Sequence, residues 1–192
     1  MCADPCPIRV IDAGTVPYRE MLARQHELFD AMVAERRAGR EVSAEHIIMV
    51  EHPPVITLGR HADRHNLLVS RDNLALAGYD VVDIDRGGDI TYHGPGQLVV
   101  YPIIDMQRHR LGVKDYVHLL EQAVIDTIGA YGIRGERVDG ATGVWIDAGT
   151  PRERKICAIG VRCSHFVTMH GLALNVTTDM RGFSLINPCG FV

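Results

Sequence analysis

The sequence predicts an α+β fold, a mixed or antiparallel β-sheet with helices packed on it. Three features point there. Short β-prone runs outnumber helical stretches. The runs cluster without the regular alternation of a βαβ protein. Two amphipathic helical stripes are available to cover a sheet.

The elements follow in chain order. Residues 8–13 read as a strand. Thr15 is placed to cap the next helix, with Pro17 near its first turn. Tyr18, Met21, Leu22, Gln25, Leu28, Phe29, Met32 and Val33 then share one helical face, and Arg19, Glu20, Arg24, Glu27 and Asp30 lie opposite. That helix ends near an Arg-rich stretch closed by Gly39. Residues 46–50 and 55–58 are apolar runs split by His52-Pro53-Pro54, which predicts two strands with a turn or kink between them. Residues 81–85 and 97–104 are further β runs. Val113, Val117, Leu120, Val124, Ile128 and Tyr131 mark a second amphipathic helix. Trp145 sits in a short strand over 143–146. Residues 155–162 and 166–176 are β-like and separated by only a few polar residues, so they are expected to be adjacent strands.

A length of 192 residues suits one domain, 1–192, large enough to bury roughly 70% of its unfolded surface. The net charge of −4 gives no whole-molecule field for nucleic acid. No apolar run approaches the ~20 residues of a membrane span, and the first ten residues lack the pattern of a signal peptide. The five cysteines form an odd set, which argues against a disulfide framework and for a cytoplasmic location. Cys2 and Cys6 lack a second Cys/His pair at zinc-ligand spacing, so no metal is expected.

Four segments carry chemistry. The first is Arg86-Gly87-Gly88-Asp89-Ile90-Thr91-Tyr92-His93-Gly94-Pro95-Gly96-Gln97, too rich in glycine for ordinary helix or central strand. Exposed backbone N–H groups there suit an anion or a carbonyl oxygen, Arg86 adds a planar charged donor and His93 a titratable one. A tight loop without a ligand is the other reading. Neither a GxGxxG fingerprint nor a P-loop is present. The second segment, Asn187-Pro188-Cys189-Gly190, holds either an exposed nucleophile or an incidental thiol. Cys157 and Cys163 lie in β-like runs, where buried inert thiols are common. The third segment opens the strand Lys155-Ile156-Cys157-Ala158-Ile159-Gly160. Its lysine is either a solvated charge or an amine driven inward to exchange protons with a thiol. In the fourth, His170-Gly171-Leu172-Ala173-Leu174-Asn175, small residues would let a ligand pass close to the strand, and a structural histidine is equally consistent.

Together these segments resemble the lipoyl(octanoyl) transferase family, octanoyl-[acyl-carrier-protein]:protein N-octanoyltransferases. The resemblance runs from about residue 45 to 189. It rests chiefly on RGGDITYHGPGQLVVYP (86–102), followed in the family's order by RKICAIGVR, MHGLALN and NPCG. It implies the fold of the biotin/lipoate-protein ligase catalytic domain. It also implies that Cys189 is the acyl-thioester cysteine and that Lys155 lowers its pKa. Arg86 to His93, Ala158, Ile159 and Gly160, and Gly171, Leu172 and Ala173 fall on the acyl-binding segments. The implied donor is octanoyl-acyl carrier protein. The implied acceptors are lysines of the lipoyl domains of 2-oxoacid dehydrogenase complexes and of the glycine-cleavage H protein, with no cofactor. Family members continue well past the cysteine, whereas Val192 is the last residue here, so their C-terminal extension is expected to be absent. Two rival readings share the pattern in part: an ATP-dependent lipoate or biotin ligase, and a non-catalytic module that binds acylated carrier protein.

Overall fold

The structure, a computed structural model, describes residues 6–187. Ten strands form two sheets. Strands β1 (Ile8–Thr15), β2 (Glu45–Glu51), β6 (Gln97–Ile103), β7 (Glu136–Val138), β8 (Ala141–Ile146), β9 (Arg154–Ser164) and β10 (Val167–Asn175) make a seven-stranded sheet in the order β1-β2-β6-β10-β9-β8-β7. The β1–β2 pair is parallel and the other neighbours are antiparallel, so the sheet is mixed. Strands β3 (Val55–Leu58), β4 (Asp80–Asp83) and β5 (Ile90–His93) make a three-stranded sheet with β3 in the middle.

Helix α1 (Tyr18–Arg37) covers one face of the large sheet. Met21, Phe29, Met32 and Val33 pack there on Ile48, Val50, Val99, Tyr101 and Ala173. Helix α3 (Val113–Gly129) covers the other face, where Tyr116, Leu120, Val124 and Ile128 meet Val144, Cys157, Leu172 and Leu174. A short helix α2 (Arg71–Leu76), capped by the Ser70 side chain, supports the small sheet through Leu74. Among the described residues no helix is long and apolar enough to cross a membrane.

Several sequence expectations are modified. Thr15 ends β1 and does not cap α1; Pro17 occupies the N-cap with no side-chain hydrogen bond. The strands on either side of His52-Pro53-Pro54 lie in different sheets, so this turn hands the chain from one sheet to the other. The glycine-rich stretch contains β5, an edge strand of the small sheet, and its glycines lie in the loops on either side of that strand. The run 155–176 is a β9–β10 hairpin, as expected, with Ser164 paired to Val167 across a two-residue loop.

Candidate active site

A cavity of about 700 Å³ opens between the large sheet, the start of α1, the loop before β5 and the 3₁₀ turn at Met180–Leu185. That size is ordinary for a small-molecule site. Residues 86–91, His93, Ala158, Ile159, Gly160, Gly171, Leu172, Ala173 and Lys155 all line it, so three of the four segments converge. Tyr92 does not. Alternation along β5 turns its side chain into the core of the small sheet, against Tyr79 and Phe183.

Close approach explains two of the glycines. A Cβ on Gly171 would lie 2.1 Å from the Val100 carbonyl oxygen of β6. A Cβ on Gly160 would press on Arg86 Cδ and the Gly87 carbonyl, each at 3.1 Å. Without it the loop closes onto the sheet, and Gly87 N–H donates to Val161 O at 3.0 Å.

Arg86 was expected as a donor for a ligand. It is 8% exposed, and its guanidinium donates to Thr57 O (2.9 Å), Thr57 Oγ1 (3.1 Å) and Gly87 O (3.0 Å). It therefore braces the loop to β3 while forming part of the cavity wall. His93 is buried, stacks on Tyr18 and donates through Nδ1 to Gln97 Oε1 at 2.7 Å. Burial holds its pKa down at about 3, so at neutral pH it is an uncharged wall. Gln97 in turn donates to Asn175 Oδ1 at 2.9 Å. Behind it, His52 Nδ1–H donates to Val16 O (2.7 Å), leaving Nε2 to accept from Tyr101 OH (2.8 Å). His170 has φ +62° and donates through Nε2 to Asp85 Oδ1 at 2.8 Å. That bond and the Arg162 guanidinium hold the Asp85 carboxyl down at about 2.

Lys155 reaches the cavity because of a register shift. Val144 pairs with Cys157, yet the next residue, Trp145, pairs with Lys155. One extra residue, Ile156, is thus inserted in β9. Strict alternation from Cys157 would send Lys155 towards the α3 core; the bulge turns it to the opposite face. There its Nζ donates to Thr142 O at 3.0 Å and lies 4.6 Å from the centre of the Trp145 ring. Cys157 is fully buried, and burial raises its thiol to about 12, in keeping with an inert core thiol. Cys163, expected to be buried, is exposed.

Cys189 lies outside the described residues. The chain leading to it passes the cavity: Met180 and Phe183 line the wall, and Asn187 N–H donates to Asn66 O at 2.8 Å.

The chain is similar to known proteins over most of its length. The lipoyl protein ligase A/B catalytic domain family matches residues 17–191. The chain belongs to that family. It is 55% identical over 183 residues to an octanoyltransferase of Bacteroides thetaiotaomicron, covering 95% of this chain and 80% of that one. It is 47% identical over 188 residues to an octanoyltransferase of Christiangramia forsetii, covering 95% of this chain and 80% of that one. In fold it is similar to lipoate-protein ligase A crystallised with ATP, with a TM-score of 0.64 and 15% identity over 94% of this chain and 70% of that one. A bi-partite lipoate protein ligase from Thermoplasma acidophilum gives a TM-score of 0.66 at 17% identity, over 94% and 66% of the two chains.

Sequence reasoning missed several residues of this family's cavity here. Tyr18 and Tyr101 sit in apolar stripes that signal only core, and both line the cavity. Trp145, the only tryptophan, was read as a strand residue, and nothing local marks its ring as a partner for Lys155.

Proposed function

We propose that the chain transfers an octanoyl or lipoyl group from acyl carrier protein to a lysine of a lipoyl domain or of the glycine-cleavage H protein, through an acyl thioester on Cys189. The observation that carries this reading is the delivery of a primary amine, Lys155, to a largely apolar cavity in a chain 55% identical to an octanoyltransferase. The protein acts as a single catalytic domain in the cytoplasm. The described cysteines, Cys6, Cys157 and Cys163, are all unpaired, in keeping with a reducing compartment.

Lys155 takes the Cys189 proton, the thiolate attacks the octanoyl thioester, a new carbon–sulfur bond forms as the bond to the carrier sulfur breaks, and the carrier leaves as a thiol with the proton that Lys155 returns. The acceptor lysine then attacks the enzyme thioester. An amide forms, Cys189 leaves as thiolate, and the proton lost by the amine passes through Lys155. The residues assigned to acyl binding are residues 86–91 and His93, Ala158 to Gly160 and Gly171 to Ala173; Tyr92 is left out because its side chain turns away from the cavity. Around the acyl chain, neutral His93 and the apolar strand residues offer no charge to be desolvated.

Intact mass spectrometry after mixing with octanoyl-carrier protein tests the covalent step. One octanoyl adduct is expected, absent in Cys189→Ser. The likeness to a ligase crystallised with ATP favours a second reading, ATP-dependent ligation of the free acid. Full ligation activity with ATP and octanoate in Cys189→Ser, with no adduct in the parent protein, would establish that reading instead.

A further inference from the structure

Lys155 is held by a hairpin, and the hairpin is held by a buried carboxylate that the proposed chemistry does not use. Glu121 of α3 is 4% exposed. Its Oε1 accepts from Gly143 N–H of β8 at 3.0 Å, and its Oε2 accepts from Arg137 Nε of β7 at 2.9 Å. One carboxylate thus pins both strands of the β7–β8 hairpin to the helix. Arg137 is tied to the same helix a second time, through His118 O at 2.9 Å.

The pinned hairpin carries two groups that meet the Lys155 amine. Thr142, beside Gly143, offers its carbonyl to Nζ at 3.0 Å, and Trp145 lays its ring 4.6 Å from the same atom. The indole is itself fixed, because Nε1 donates to Ala141 O at 2.8 Å. Gly143 has φ +123°, and a Cβ there would strike Cys157 O at 2.4 Å and touch Lys155 Cδ at 3.5 Å. The turn is therefore shaped around the lysine stem as well as its head.

We propose that Glu121 and Trp145 are positioning residues for Lys155: Glu121 fixes the hairpin whose Thr142 carbonyl accepts the ammonium, and Trp145 supplies the face on which the ammonium rests. The proposal rests on Lys155 being the acid–base group of acyl transfer. A carbonyl and a π-face both favour a cation, and together they confine the amine to one place in the cavity wall.

The sequence contains only two lysines, Lys155 and the exposed Lys114, so competitive amine labelling reads the site against an internal reference. In Trp145→Leu the loss of the ring removes support for the ammonium. The pH midpoint of Lys155 labelling should fall by about half a unit relative to Lys114, with Trp145→Phe close to the parent. Glu121→Ala should shift it in the same direction, and Glu121→Gln, which keeps an oxygen for Gly143 N–H, should restore most of it. The kcat for octanoyl transfer should drop roughly tenfold in Trp145→Leu and Glu121→Ala, with KM for the carrier nearly unchanged. An unmoved Lys155 midpoint in both variants overturns the proposal, as does a moved midpoint with undiminished kcat. Undiminished transfer in Lys155→Ala sinks the acid–base reading beneath it. Because labelling needs neither Cys189 nor an acyl donor, the two failures are distinguishable.

Discussion

At the scale of residues, the cavity wall sets a pH limit on the fold. His93 is buried in the cavity wall and keeps its proton off down to about pH 3, whereas an exposed histidine titrates near 6.5. Between those values the unfolded chain binds a proton that the folded chain refuses. Stability is therefore complete above pH 6.5 and falls as pH drops below it. Burial also depresses His52 and His170, which act in the same direction. Urea unfolding at pH 7 and pH 5 should show a loss to which His93 contributes on the order of 1–2 kcal/mol. His93→Gln should flatten that slope, and an unchanged slope would contradict the assignment. Much of this wall was legible from the residues themselves. Arg86-Gly87-Gly88 and His170-Gly171 announce close backbone approach, because only glycine permits a strand or loop to come as near as Gly171 does to Val100. The role of Arg86 was not legible. A guanidinium in a glycine-rich loop reads the same whether it meets a ligand or Thr57, and only the packing of β3 decides.

At the scale of elements, the β9–β10 hairpin that forms the floor of the cavity turns on strained residues. His165 and Phe166 have φ +50° and +66°, both positive as a type I′ turn demands, and neither is glycine. Such a conformation costs about 1–2 kcal/mol for an ordinary side chain. Phe166 is half-exposed and gains little from burial. Replacing the pair with Asn-Gly should raise the melting temperature by roughly 2–4 °C, as read by calorimetry. An unchanged or lower melting temperature would mean that the Phe166 ring contributes packing that offsets the strain. The same hairpin shows where periodicity succeeds and stops. Two apolar runs separated by a short polar gap are enough to predict adjacent strands. The bulge at Ile156 is invisible to that pattern, because it depends on how β8 and β9 settle against each other. It alone decides which face receives Lys155. Sheet membership escaped for a similar reason: the strands flanking Pro53-Pro54 look like partners, and long-range pairing with β6 and with β4 separates them.

At the scale of the whole molecule, a net charge of −4 still leaves two exposed arginines, Arg60 and Arg64, on a loop beside the cavity. Arg60, His61, Arg64 and His65 are exposed on one loop, with Asp63 among them engaged by His65. That loop is stitched to the rim by Gly59 N–H to Asp89 O (2.8 Å) and His61 N–H to Gly88 O (3.3 Å). It also accepts the hydrogen bond from Asn187, two positions before Cys189. If the acyl donor is a carrier protein, as proposed, docking beside this loop would bring it to the cavity, and Arg60 and Arg64 would offer charge complementary to an acidic carrier. Rim charges act mainly on encounter rate and salt dependence. Arg60→Glu with Arg64→Glu should therefore raise KM for octanoyl-carrier protein roughly tenfold at low salt, and the defect should shrink as salt screens the charges. Turnover of a small octanoyl thioester, which has no acidic surface, should change little. Equal losses with both donors would show that the substitutions had damaged the cavity, and no loss with either would place carrier docking elsewhere on the rim.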